Sequence, residues 1–193
     1  MQALAHALHF AEVLAYCERK SADVERLSSD LIELSTRHNF FLWLALATSH
    51  RGWVRGAGGN AAEGILCVEQ GIRDVRTTGI RLSLPYYLAL KAEVLHLAGR
   101  TPEAFEAIKE AEVLAEKFEE HWWSEELHRL RGVFLAAMGA DEPQIEASFC
   151  EAIRIAREQK SISLEKRAEG TYAEYRRQKA SASGGRGFRL PLW

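Results

Sequence analysis

Several features are scarce in this chain, and each absence excludes something. It holds only 3 Cys and 4 Pro in 193 residues. Cys17, Cys67 and Cys150 are widely spaced and fit no disulfide framework; they read as buried thiols of a reducing cytoplasm. Neither sign of charge dominates, with 25 Lys and Arg against 27 Asp and Glu, so a strongly basic nucleic-acid surface is not expected. The longest apolar run, residues 40–47, falls far short of the roughly 18 residues a membrane helix needs. The opening MQALAHALHF has no basic segment ahead of an apolar one, so no secretory signal is read there, and the expected location is cytoplasmic. No stretch alternates apolar and polar residues with period two for long, which leaves no strand to predict.

What is present is a helical repeat. The chain is 47% hydrophobic and long enough for one domain or one run of repeats. Gly59, Gly99 and Gly139 stand 40 residues apart, each closing an apolar helical stretch. Seven residues earlier the column Gly52, Ala92 and Gly132 has the same spacing, and just before it stand Arg51, Lys91 and Arg131. Three columns in one register mark a solenoid. In each unit the small residue lets a neighbouring helix approach, and the later glycine supplies a left-handed cap.

Each unit reads as two antiparallel helices. Ser21, Asn60 with Glu63 three residues on, and Thr101–Pro102 are starts of second helices. Behind them apolar residues recur at spacings of three and four, as in Val24, Leu27, Leu31 and Leu34. The pattern predicts helices near 2–18, 22–38, 41–57, 61–78, 84–98, 102–119, 122–138, 143–159 and 163–179. These group into an all-α, right-handed solenoid over residues 1–180. Its units are 1–39, 40–79, 80–120 and 121–160, followed by a capping helix at 161–180. The linker after Gly139 holds one extra residue. Residues 181–193 (SASGGRGFRLPLW) read as an extended tail that could dock through Phe188, Leu190, Leu192 and Trp193.

The small-residue columns Gly52/Gly59/Gly64/Gly71 and Ala92/Gly99/Ala104/Ala111, then Gly132/Gly139 with Ala152, resemble the tetratricopeptide repeat. The period of 40 is longer than that family's usual 34, and Arg51, Lys91 and Arg131 stand where it usually has a packing leucine. Stretches such as FFLWLALATSHRGW and YYLALKAEVLHLAG also resemble the helical-repeat region of large bacterial signalling proteins. Those proteins join a class III nucleotide cyclase domain and a P-loop ATPase module to such an array.

Catalytic parts of those proteins are not found. A cyclase needs a βαβ pattern, and a P-loop needs G-x-x-x-x-G-K-[ST] after a strand. Here Gly56, Gly58 and Gly59 follow a helix with no Lys-Ser/Thr, so they read as a turn. His6 and His9 share a helix face, but no further ligand is read beside them, so neither metal nor cofactor is expected. A single RGF near the end does not make an RNA-binding repeat. Residues 101–146 carry net −8 and residues 166–193 net +5, which reads first as a solvated helix face plus a basic terminus; the alternative is a basic tail that touches an acidic partner or folds back on the acidic unit.

The expected function is therefore a non-catalytic scaffold for protein or peptide partners. The alternative is a regulatory or sensory repeat segment of a cyclase- or ATPase-type regulator. The resemblance maps a concave binding face onto His6, His9 and Tyr16; Ser49 and Trp53; Tyr86, Glu93 and His96; Glu126 and Arg129; and Lys166. Trp53 and Tyr86 fit equally as core aromatics of long helices. The Arg51/Lys91/Arg131 ladder fits either pairing with Glu63 and Glu103 or an acidic peptide. Leu8, Phe10 and Leu14, on an outer face with no preceding repeat, are expected to stay partly exposed and to support a weak homodimer.

Overall fold

The computed structural model describes residues 1–181 together with Phe188, Leu190 and Leu192. Among them run nine helices and no strand: α1 (Gln2–Cys17), α2 (Ser21–His38), α3 (Phe41–Ala57), α4 (Ala61–Thr77), α5 (Leu84–Leu97), α6 (Thr101–Lys117), α7 (Ser124–Met138), α8 (Glu142–Glu158) and α9 (Ile162–Ser181). None of them is long and apolar enough to cross a membrane. The boundaries follow the sequence reading to within about two residues. At α2 and α6 the helix begins one residue early, so Lys20 and Arg100 occupy the cap positions expected of Ser21 and Thr101. Asn60 caps α4 as expected, its side chain accepting from the Glu63 amide at 3.3 Å.

Helix ends recur at half the repeat period. Left-handed residues stand at Arg19, Asn39, Gly59, Gly79, Gly99, Glu119 and Gly139, then at Lys160 after the one-residue insertion. The first three of these helix ends share one closing bond, from the amide of the next residue to the carbonyl five back: Lys20 to Ala15, Phe40 to Ser35, Asn60 to Arg55. The same bond closes α5 to α8 and satisfies carbonyls that a helix end leaves open.

Each helix packs on the next in sequence, and the odd-numbered helices also touch one another in order, α1 to α3 to α5 to α7 to α9. The even-numbered helices do not pack on one another in this way among the described residues, although an exposed Arg76–Glu110 ion pair links α4 to α6. The array therefore curves with α1, α3, α5, α7 and α9 on the inside. Close approach within units comes from the glycine column. A Cβ on Gly52 would lie 2.6 Å from Val68, and one on Gly132 would lie 2.7 Å from the Phe149 ring. Gly64 and Gly71 face back onto Gly52 and Ser49 in the same way.

Two of the three column cations, Lys91 and Arg131, are paired, with different partners from those expected. Lys91 Nζ lies 3.0 Å from Glu69 and Arg131 Nη1 lies 2.7 Å from Glu112, each on the second helix of the preceding unit. Glu63 and Glu103 pair instead with Arg55 and Arg100. Cys150 is exposed and Cys17 and Cys67 are half-buried, so the expectation of three buried thiols fails for Cys150. Leu190 and Leu192 are buried in the main core and Phe188 packs against it, so these parts of the tail are docked. Trp193 and the Arg186–Gly187 pair of the RGF segment lie outside the described residues.

Candidate functional site

The residues mapped to a concave groove do line the inner helices, but the curvature closes that face. Tyr16, Ser49, Glu93 and Arg129 are fully buried, and Trp53, Tyr86 and Glu126 are at most 2% exposed. His9 is 8% exposed and His96 is half-buried against Phe134. Only His6 and Lys166 are open to solvent. An open peptide groove along these positions is thus replaced by packing, and Trp53 and Tyr86 are core aromatics. Tyr16 sits edge-on to both, at 4.9 Å from Trp53 and 5.3 Å from Tyr86.

A buried ion network crosses this interior. Arg19, placed by its left-handed backbone at the end of α1, donates from Nη1 to Glu93 Oε2 at 2.7 Å and from Nη2 to Glu126 Oε1 at 2.8 Å. Tyr16 and Trp53 donate to the same Glu93 carboxylate at 2.6 and 2.7 Å. Arg129 grips Glu126 through Nε and Nη2, both at 2.8 Å, and donates to the Leu192 carbonyl at 2.7 Å. Arg167 of α9 reaches Glu126 and donates to the Cys17 carbonyl, so the last helix meets the first across the interior.

These charges answer one another. Burial alone would raise the Glu126 carboxyl, but Arg129, Arg167 and Arg19 pull it down to about 2. Burial would weaken the Arg19 charge, and Glu93 more than restores it. Glu125, next in sequence, has no such partner: burial pushes it up to about 7, and neither of its oxygens accepts a hydrogen bond. Burial likewise pushes the Cys17 thiol up to about 11, so it is not a reactive thiolate. Guanidinium–carboxylate pairs of this kind hold helices together and supply no nucleophile.

A second polar cluster joins α1, α2, α3 and α5. Glu12 is fully buried, with Oε1 accepting from Ser28 Oγ at 2.5 Å. Its Oε2 lies 3.0 Å from His50 Nδ1 and 3.6 Å from His9 Nδ1. His50 Nε2 meets the Tyr86 hydroxyl at 2.7 Å. Among the described residues, His9, Glu12 and His50 form a group that could hold a metal ion. The sequence reading paired His9 with His6 and passed over Glu12, which stands one turn further along the same face. His50 comes from the next unit, and no spacing in the sequence announces it.

On the outside, a cleft of about 470 Å³ opens between α6, α7 and α8, lined by Glu112, Glu116, Glu151 and Glu158 with His121, His128 and Arg154. A smaller hollow of about 300 Å³ lies over Arg19, Ser21 and Trp53. The apolar surface that departs most from the repeat pattern is on α1. Phe10 and Leu14 are each 59% exposed, while the residues 40 and 80 positions on from them are buried or half-buried.

No family model matches the chain. It is similar to an uncharacterized protein of Rhizobium meliloti (strain 1021), 27% identical over 170 residues. The match covers 88% of this chain and 16% of that protein, so the chain spans about a sixth of the length of the relative it matches.

Proposed function

We propose that the chain is a non-catalytic, tetratricopeptide-like scaffold, a right-handed array that engages protein partners end-on through α1. The observation that carries this reading is the contrast within two repeat columns. Phe10 corresponds to His50, Leu90 and Leu130, all of them fully buried. Leu14 corresponds to Val94 and Phe134, also fully buried. In the later units these columns face the first helix of the preceding unit: His50 meets Glu12, Val94 meets Gly56, and Phe134 meets His96. On α1 the same surface is bare, and the partner it suits is another helix pair of this kind.

A photo-crosslinking amino acid at position 10 tests this. A discrete protein adduct in cells, absent with the crosslinker at exposed Glu33, is the expected result; no adduct at position 10 contradicts it. The second reading, a regulatory segment of a larger signalling protein, is favoured by the length of the Rhizobium relative, of which this chain matches a sixth. Cyclase or ATPase sequence in the same reading frame as this segment would support that reading, and a frame without either would remove it.

A further inference from the structure

The His9, Glu12 and His50 cluster is left unexplained by the scaffold. A carboxylate with no exposure needs a compensating cation or a full set of donors. Glu12 Oε1 has Ser28, while Oε2 lies between His50 Nδ1 at 3.0 Å and His9 Nδ1 at 3.6 Å, and neither Oε2 nor His9 Nδ1 makes a well-aligned hydrogen bond. Buried polar atoms so close and so poorly aligned are uncommon in a protein interior.

The geometry suits an ion between them. The three ligand atoms lie within 4.8 Å of one another. Around a tetrahedral zinc with bonds of about 2.1 Å, neighbouring ligand atoms stand about 3.4 Å apart. The Glu12–His50 and Glu12–His9 separations of 3.0 and 3.6 Å bracket that value. The outer contacts are also those of a metal centre, where a second group orients each ligand. Ser28 holds the far oxygen of Glu12, and the Tyr86 hydroxyl lies 2.7 Å from the far nitrogen of His50.

We propose that His9, Glu12 and His50 bind one borderline-soft divalent ion, Zn²⁺ being the best match, with Ser28 and Tyr86 orienting two of the ligands. His50 Nδ1 also lies 3.2 Å from the Leu46 carbonyl, which can only accept, so ligation through Nδ1 moves the ring proton to Nε2, where the Tyr86 oxygen accepts it. The ion would clip α1 of the first unit to α3 of the second.

The test uses the full chain, stripped with a chelator and titrated with ZnCl₂ by calorimetry, and with Co²⁺ followed by visible absorption. One equivalent bound, a tetrahedral Co²⁺ band and a raised melting temperature are expected. His9→Gln, at the least buried ligand, should fold and lose saturable binding. Tyr86→Phe should weaken binding by about 10–100-fold with unchanged circular dichroism. No saturable binding by the wild type would leave a plain Glu12–His50 ion pair and overturn the proposal. So would equal affinity in His9→Gln, or binding removed by Cys150→Ser instead.

Discussion

At the scale of single residues, the interior holds charged groups answered by partners, as at Glu93 and Glu126, beside one that is not, Glu125. Trp53 combines a large buried ring with a hydrogen bond to Glu93. Trp53→Ala should therefore cost about 3–5 kcal/mol in a urea melt, far more than a groove-lining aromatic would. Adjacent Glu125 and Glu126 give opposite pH signatures. Unfolded, each ionises near 4.5. Glu126 is held at about 2 in the fold, so its contribution is complete above pH 4.5 and is lost as pH falls toward 2. Glu125 keeps its proton in the fold up to about pH 7. The native state then binds more protons than the unfolded chain between pH 4.5 and 7, so stability falls as pH rises through that window. A displacement of this size corresponds to roughly 3 kcal/mol. Glu125→Gln should match the wild type at pH 4.5 and exceed it by about that amount at pH 8. Parallel urea midpoints at both pH values would contradict the assignment.

At the scale of helices, the 40-residue columns translate directly into packing. Gly132→Leu would drive a side chain into Phe149 and should cost about 1–3 kcal/mol or more by thermal melt. The helix ends make a second prediction. Lys160 is exposed and left-handed, so Lys160→Gly should be neutral or stabilise by up to about 1 kcal/mol. Gly99→Ala, which puts a side chain on a φ of +75°, should destabilise by about 1 kcal/mol. Glycines mark the ends of α3, α4, α5 and α7 in the sequence. Arg19, Glu119 and Lys160 hid the ends of α1, α6 and α8, because nothing in a charged residue announces a left-handed backbone.

At the scale of the whole molecule, two features govern behaviour: curvature that brings α9 onto the end of α1, and the bare outer face of α1. The first predicts that the inner network and the docked tail residues unfold with the helices that hold them. The second predicts self-association. Wild-type chain should show concentration-dependent sedimentation, and Phe10→Ser/Leu14→Ser should sediment as a monomer with an unchanged helical spectrum. A strictly monomeric wild type at high concentration would remove the contact.

The sequence by itself determined the helices, their pairing and the close contacts between partners. Those depend on bonds four or five residues apart and on columns such as Gly52/Ala92/Gly132, all local enough to leave a period. The candidate residues were legible as members of the inner helices, but whether that face was open or closed was not. That outcome rests on a small rotation per repeat, summed until Tyr16 reaches Glu93 and Arg19 reaches Glu126, 77 and 107 residues away. No spacing encodes such a sum. The same holds for His9, Glu12 and His50, where one turn of α1 supplies two ligands and only the packing of α3 against it supplies the third.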